Sequence, residues 1–500
     1  MKIKIKQLTL SLFVLFSAFQ FAYAQKEEVT LNLTLDQAID VAYTQSIFSF
    51  RQKNMYLARY WQFRSYKAAK LPLFGLTSTP VNYQRSIVSR YNQDTNEDEF
   101  VPTERLISDA SLNVTQNITA TGGRITASTD LQRIQNLESG NLSYYSTPIT
   151  IGITQPLNGY NQFKWQSRIE PLKFEQAKRE YLQSLQELGM RTTNAFFNVL
   201  KAEINYSISE TNVSNADTLY RIGKGRFEIG TVTQDELLDL ELSYLNSNMS
   251  LSRSKIDLYQ ARVSLNSFLG FEDNVLIKCT VPNKIPALKI DADKALDQAF
   301  INNPDLIKYE QQLIEANREI AQARTENGIN ASVYGNYGYN KSSNELNDVY
   351  KIPFGDEQNL RLSLSVPIID WGLRRGKIQM ARSEKEVTEA EVRQAKIDFE
   401  QDVFIRIMEF NMQEEQVRIA AKADTTALMG YEVTKQRFLI DKVDVIKLNA
   451  ARNSLDAAKR NYIQSIQEYW YSYFNIRRIT LFDFESNESL IEELDDLLQK

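Results

Sequence analysis

Long stretches with helical hydrophobic spacing alternate along the chain with short stretches in which every second residue is apolar. In residues 174–202 the apolar positions step by three and four, about 3.5 on average, which is the spacing of a coiled-coil seam. Residues 238–263 and 448–473 repeat this spacing, whereas residues 149–154 alternate isoleucine with small polar residues. The pattern predicts long helices that pair antiparallel as hairpins, joined through short strands.

The chain contains the same unit twice. Residues 226–232 (RFEIGTV) return as 437–443 (RFLIDKV), an offset of 211 residues. Pro156 and Pro367, each at the junction of a predicted strand with a long predicted helix, have the same offset. An internal duplication on this scale determines the whole fold, and it places each repeated segment at the tip of a helical hairpin, where the chain reverses.

The two copies differ by an insertion. Residues 38–43 (AIDVAY) match 295–300 (ALDQAF) at an offset of 257, so the first copy has 46 extra residues, which must lie between positions 72 and 156. Residues 112–118 and 125–129 alternate apolar and polar side chains around Gly122-Gly123, which predicts a hairpin. The sequence leaves open whether the insertion at 91–146 adds strands to a barrel or folds outside it.

The predicted strands fit two kinds of sheet. Apolar residues on one side and small polar residues on the other suit a barrel wall between lipid and water, but also a soluble sheet with one wet face. If the strands form a barrel wall, we expect some tyrosines to form an interfacial aromatic girdle, although core packing is an alternative for each of them. The candidates are Tyr83, Tyr144, Tyr145, Tyr334, Tyr337 and Tyr339.

These patterns predict a linear domain organisation. A signal peptide (1–24) precedes a first repeat (25–270), whose strands and surface loops lie at 72–156 and whose hairpin lies at 157–270. A linker (271–290) leads to the second repeat (291–480), with strands at 329–367 and a hairpin at 370–480. An acidic, solvated tail (481–500) follows, and Thr34 is the expected N-cap of the first helix.

Composition narrows the function. Three lysines, an apolar run and Ala22-Tyr23-Ala24 fit a secretory signal, and removing its lysines takes the formal net charge from −5 to −8. A negative charge argues against a nucleic-acid partner. The absence of histidine removes the commonest general base and metal ligand, so we expect neither enzyme activity nor a cofactor or metal. Cys279, the one cysteine, is expected to be a partly buried free thiol.

Without the insertion, the two strands predicted in each repeat make four strands per chain. Four strands cannot close a membrane barrel, so several chains must each contribute a sector. In this arrangement the chain resembles the TolC-type outer-membrane efflux protein family over nearly all of its mature length. The resemblance depends on three features: the segments 38–43 and 295–304 near the start of each repeat, the strand-to-helix junctions at Pro156 and Pro367, and the duplicated hairpin tips.

The resemblance implies a mainly α fold with a transmembrane β-barrel sector: a homotrimer with an α-barrel in the periplasm and a shared 12-stranded β-barrel in the outer membrane. It implies passive conduction as the exit duct of a tripartite efflux or type I secretion system. The implied partners are outer-membrane lipid, a periplasmic adaptor (membrane fusion) protein and an inner-membrane pump.

The resemblance also implies where partners and a gate lie. The positions for adaptor docking are Gly230, Thr231 and Val232 at the first tip and Asp441, Lys442 and Val443 at the second. Asp441 departs from the family, which usually has glycine there. The family's acidic constriction aligns with Ile446 and Asn449, neither of which is acidic, so Asp444 and Lys447 are the neighbouring candidates for a charged ring at the gate. Solvated helix-end charges of little consequence are the alternative.

Two other functions remain to be weighed against the duct. A structural or adhesive trimeric coiled-coil protein would share the heptads but would not need strand segments within both repeats. A secreted hydrolase would need a nucleophile, and the sequence contains no recognisable nucleophile motif.

Overall fold

The structure is a computed structural model, and it describes residues 29–94, 96–271, 275–282, 285–440 and 442–492. The predicted signal peptide therefore lies outside the described residues, as does the end of the predicted acidic tail. Within these ranges, no helix has an apolar stretch sufficient for a bilayer crossing. The chain forms two compact units. One takes in the described parts of Met1–Asn54, Arg179–Asn303 and Glu400–Lys500, and the other takes in Met55–Lys178 and Pro304–Phe399.

The helices repeat as the sequence predicts. α1 (Leu35–Gln45) and α2 (Ile47–Ala68) of the first repeat correspond to α5 (Ala292–Asn302) and α6 (Pro304–Glu326) of the second. The long helix α3 (Gln162–Glu228) corresponds to α7 (Leu373–Leu439), both of 67 residues. The returning helices α4 (Gln234–Leu269) and α8 (Val445–Thr480) both have 36 residues. All four long helices keep the offset of 211.

One antiparallel sheet contains six strands. They are β2 (Leu73–Asn92), β3 (Glu97–Ile118), β4 (Gly123–Asn136), β5 (Leu142–Pro156), β7 (Asn330–Ser343) and β8 (Gly355–Ser365). The spatial order is β2-β3-β4-β5-β7-β8, and each neighbouring pair is antiparallel. The hairpin that the alternation predicts is β3–β4, and it lies within this sheet. A 12-stranded barrel of three chains takes four strands from each chain, whereas this sheet has six.

A small parallel pair lies in the other unit. β1 (Val29–Leu33) pairs with β6 (Val275–Cys279), which falls within the predicted linker. Hydrophobic periodicity could not reveal this pairing, because the two strands are five residues long and 246 positions apart. Leu33 and Ile277 are buried, as are Leu35, Ala38 and Ile39 of α1. Thr34 caps α1 as predicted, since its hydroxyl accepts a hydrogen bond from the Gln37 amide.

Cys279 ends β6 as a free, partly buried thiol. Burial, and then the charge of Glu203, raise the pKa of this thiol to about 12, with Arg262 opposing them. The thiolate is the reactive form, so at pH 8 its fraction should be roughly a thousandth of that of an ordinary thiol. We expect slow maleimide labelling of the folded protein and rapid labelling after denaturation. Equal labelling rates in the two states would contradict this environment.

Two asparagines between α5 and α6 close the end of α8. The side-chain amide of Asn302 donates to the Thr480 carbonyl at 3.0 Å, and that of Asn303 donates to the Ile479 carbonyl at 2.9 Å. Both asparagines are buried. The last carbonyls of a helix have no intrahelical donor, so these amides satisfy groups that would otherwise be buried and unpaired. These bonds give a physical role to the end of the repeated segment 295–304.

Replacing Asn303 with leucine should therefore destabilise the fold by about 1–3 kcal/mol, the usual cost of a buried unsatisfied carbonyl. The matched control is Asn317→Leu, which removes an amide that donates to Leu313 within its own helix at an exposed position. Thermal melting in detergent should show a clear fall for the first variant and little change for the second. Equal melting temperatures would exclude the capping role.

The segment after α8 is packed in its first part, so the expectation of a solvated tail is wrong for residues 481–492. β9 (Phe482–Asp483) pairs with β10 (Glu488–Ser489), and Leu481, Phe482 and Leu490 are buried. Leu481 packs against Leu182 of α3. Apolar residues that become buried lie between the acidic residues of this stretch. The net charge of the stretch does not reveal them.

Candidate functional site at the hairpin tips

The first tip is a tight reversal built on one glycine. α3 ends at Glu228, and Gly230 follows with φ at +77°, in the left-handed region. The Gly230 amide donates to the Phe227 carbonyl at 3.0 Å, and the Thr231 amide donates to the Arg226 carbonyl at 2.9 Å. These are the two bonds of a Schellman C-cap. A β-carbon at Gly230 would meet no atom within 4 Å. The backbone requires the glycine, and the space around it is open.

The returning helix α4 begins with its own cap. Thr233 is the N-cap, and its amide donates to a carboxylate oxygen of Glu236 at 2.9 Å. The Thr233 hydroxyl donates to the same oxygen at 3.0 Å. Gly230 and Thr231 are exposed, and Val232 is half-buried. The three predicted docking positions thus form a short loop held by a cap on each side.

The second tip uses the same closure. α7 ends at Leu439, and the Lys442 amide donates to the Arg437 carbonyl at 2.9 Å, the bond that corresponds to Thr231–Arg226. Asp441 lies outside the described residues. Lys442 is exposed, and Val443 is half-buried.

A buried apolar cluster lies beside the second tip. Its members are Tyr431, Phe438 and Leu448. Val443 packs against it from the second tip, and Leu219 packs against it from α3. The Arg226 guanidinium lies 6.0 Å from the centroid of the Phe438 ring, within the range of a cation–π interaction. The end of α3 therefore packs against the second hairpin near its tip, and Val443 has a packing role.

The predicted gate residues have separate roles. Asp444 is the N-cap of α8, and its carboxylate accepts a hydrogen bond from the Lys447 amide at 2.8 Å. Lys447 is exposed. Asp444, Ile446 and Asn449 all line one cavity of about 820 Å³ between α3, α4 and α8.

This cavity is acidic, although neither Ile446 nor Asn449 is. Asp235, Glu236, Asp239 and Asp456 line it together with Asp444, which gives five acidic side chains against the two basic ones, Arg452 and Arg460. A hydrogen bond from the Thr233 side chain and then backbone amides lower the pKa of Asp235, which keeps this carboxylate ionised. The lining therefore favours cations over anions.

The acidic residues of α4 were missed in the sequence. The duplication could have found them, because the offset of 211 maps Ile446 onto Asp235. The structure shows that the two equivalent positions line the same cavity.

The helix α4 presents an exposed apolar stripe. Its own-chain contacts bury a different set, which includes Leu240, Leu258 and Leu265. The stripe predicted as a coiled-coil seam is at least one third exposed at each of its large apolar residues, for example 56% at Leu242 and 70% at Met249. In the described part of the chain nothing covers it. The full set is Leu238, Leu242, Leu245, Met249, Ile256, Tyr259 and Val263.

The six-stranded sheet also has two distinct faces. Strand pairing aligns one row of residues across all six strands, namely Phe74, Val114, Ala127, Ile151, Tyr337 and Gln358. The adjacent row on the opposite face is Gly75, Asn113, Ser128, Thr150, Gly338 and Glu357. Apolar side chains of the first face are exposed, for example 69% at Phe74, 54% at Ile151 and 82% at Leu360. A soluble sheet would bury such a face.

Four of the six candidate tyrosines lie on the apolar face by strand register, namely Tyr83, Tyr144, Tyr337 and Tyr339. Tyr337 and Tyr339 lie edge to face, with ring centroids 5.6 Å apart. Tyr334 lies on the opposite face, where it pairs with Arg361, whose guanidinium is 5.9 Å from the ring centroid. Tyr334 is therefore not placed with these four, and neither is Tyr145, which faces Ser342 on that side of the sheet.

Comparisons with known proteins agree on the fold. The profile of the family described as "Outer membrane efflux protein" matches residues 108–271 and 295–480. No curated protein matches the sequence. Among solved structures, the CmeC outer membrane channel of Campylobacter jejuni is similar with a TM-score of 0.65 at 16% identity, over 95% of this chain and 93% of that one.

Two further structures show the same likeness. The outer membrane protein VceC of Vibrio cholerae has a TM-score of 0.61 at 11% identity, over 89% of this chain and 95% of that one. The open-state MtrE outer membrane channel of Neisseria gonorrhoeae has a TM-score of 0.58 at 14% identity, over 89% and 88%. At these identities the structures show the fold, and the family profile, which spans most of the chain, shows the family. The chain is thus a channel protein of the outer membrane and not an enzyme, and it belongs to the outer membrane efflux protein family.

Proposed function

We propose that three copies of this chain form the exit duct of a tripartite efflux or type I secretion system, through which substrates pass passively from the periplasm to the exterior. The exposed apolar face of the sheet supports the proposal most directly. It is paired with a polar face, as lipid outside and water inside a wall require. In β7 the apolar face runs from Ala331 to Tyr339, and nine residues is about the length of a strand that crosses a bilayer.

Two features support an oligomer. The sheet has open edges at β2 and β8 within the described residues, and an unpaired edge is not viable in lipid. The stripe on α4 exposes seven large apolar side chains at coiled-coil spacing, which a neighbouring helix would cover. The long helices are each about 100 Å at 1.5 Å per residue, a length suited to crossing a periplasm.

In this proposal the tips face the periplasm. The exposed loops at Gly230 and Lys442 are the docking surface for a periplasmic adaptor, and the adaptor connects the duct to an inner-membrane pump. The acidic cavity beside them lies at the entrance and forms part of the gate.

Oligomeric mass tests the assembly. Protein extracted from outer membranes in detergent and measured by light scattering should have three times the mass of the mature chain after correction for detergent. Purification as a monomer without detergent would contradict both the membrane location and the trimer.

Ion selectivity tests the gate. Asp444→Asn removes one negative charge from the cavity lining and keeps the helix cap, because asparagine is as good an N-cap as aspartate. We expect a lower cation preference, seen as a smaller reversal potential under a KCl gradient. Lys447→Gln should shift the reversal potential in the opposite direction. Values identical to wild type for both variants would exclude these residues from the conduction path.

A further inference from the structure

The inserted hairpin β3–β4 lies in the middle of the sheet. By the repeat offsets, β2 corresponds to β7 and β5 corresponds to β8. In the second repeat β7 pairs directly with β8, whereas in the first repeat β3 and β4 stand between β2 and β5. The 46 extra residues therefore widen the sheet by two strands.

The inserted strands are bonded on both sides. β3 pairs with β4 continuously from Arg105↔Asn136 to Ile118↔Gly123, and β4 pairs in turn with β5. β3 also pairs with β2 along nearly its whole length. The Gln116 side-chain amide donates to the Lys70 carbonyl at 2.8 Å, which ties β3 to the chain just before β2. The hairpin cannot leave the sheet without breaking these ladders.

The inserted strands also continue both faces of the sheet. Val114 and Ala127 stand in the apolar row between Phe74 and Ile151, and Asn113 and Ser128 stand in the polar row of the opposite face. A hairpin that folded away from the wall would have no need of this alternation in register with its neighbours.

The two sheet edges are complementary. Each neighbouring pair is antiparallel and the number of strands is even, so β2 and β8 run in opposite directions. β2 of one copy can therefore pair with β8 of the next in the same antiparallel manner, which removes both edges. A second copy of this chain fits this surface without any change of strand direction.

We propose that β2 of each copy pairs with β8 of the next, so that three copies close a wall of 18 strands. This inference rests on the proposed trimeric duct. Barrel diameter grows roughly linearly with strand number, so the pore is about 1.5 times as wide as that of a 12-stranded barrel.

Disulfide mapping across the edges tests the pairing. In a Cys279→Ser background, Thr77→Cys on β2 is combined in turn with Asn359→Cys, Arg361→Cys and Ser363→Cys on β8. All these positions are on the polar face. Within one chain β2 and β8 are five strand spacings apart, about 24 Å, which a disulfide cannot bridge. A covalent dimer or trimer on a non-reducing gel therefore reports contact between copies.

Two controls make the result decisive. Ser128→Cys with Thr150→Cys joins neighbours within one chain and shows that oxidation reaches the wall. Ser128→Cys on β4 combined with the same β8 positions tests a 12-stranded wall. In that wall β4 would pair with β8 of the next copy, and β2 and β3 would lie outside.

The outcomes separate this inference from the duct itself. Cross-links between β2 and β8 are expected, with none between β4 and β8. Cross-links between β4 and β8 only, or none in a sample that light scattering shows to be trimeric, would overturn the 18-stranded wall and leave the duct standing. A monomeric sample would overturn both.

Discussion

Tryptophan in place of Gly230 should abolish export through the duct while the protein still assembles. Gly230 is exposed at the first tip, with no atom within 4 Å of a β-carbon built there, so the folded chain has room for the indole. An adaptor bound to this loop would have no room for the indole. The left-handed φ of +77° adds a local cost of about 1–2 kcal/mol for any side chain other than glycine or asparagine.

A loss of 1.4 kcal/mol at the docking surface weakens adaptor binding about tenfold, and central contacts of an interface often contribute more. The measurement is survival of a strain that depends on this duct under a toxic substrate, together with trimer content on a native gel. Gly230→Asn retains the left-handed conformation and should keep most activity. Gly376→Trp adds the same bulk at an open position within α7, outside the tips, and should retain export. Wild-type survival with Gly230→Trp would exclude adaptor docking at this tip.

Valine in place of Gly189 should have the largest effect on stability. A β-carbon at this position in α3 would lie 2.7 Å from Cδ1 and 3.0 Å from Cε1 of Phe474 in α8. The Phe474 ring is buried and stacks edge to face on Tyr473, with centroids 5.4 Å apart, so moving it aside would disturb this packing. Overpacking of this kind costs about 1–3 kcal/mol, occasionally more, in each chain.

The temperature at which the assembled protein dissociates in detergent reports this cost. Gly225→Ala is the matched control, because it lies in the same helix and its β-carbon would meet no atom within 4 Å. Alanine is favoured over glycine in a helix by about 1 kcal/mol, so this variant should melt at or above the wild-type temperature. A Gly189→Val protein that melts with wild type would contradict the close approach of α3 and α8.

The long elements could be predicted because their signals are local and repeated. The heptad spacing of α3, the segments RFEIGTV and RFLIDKV, and the Gly122-Gly123 turn each determine structure within a few residues. The N-cap at Asp444 could also have been recognised, since Thr233 occupies the equivalent position and begins a Thr-x-x-Glu capping box.

The parts that could not be predicted depend on contacts between distant residues. The β1–β6 pairing joins residues 29–33 to 275–279, and five-residue strands carry too weak a pattern to match by eye. Leu240 faces its own chain and Leu242 does not, although both suit a helical seam. The periodicity identifies an apolar stripe but not what covers it, because that depends on which helix lies opposite. The place of β3–β4 within the sheet likewise required the strand register.

Conduction in a planar lipid bilayer tests the central claim most directly. The full-length protein, purified in detergent as a trimer and added to one side of the bilayer, should produce discrete ionic current steps at constant voltage. Asp444→Asn should retain these steps with a changed reversal potential. If a correctly assembled trimer inserts and no current steps appear under any voltage or salt condition, the chain is not a duct.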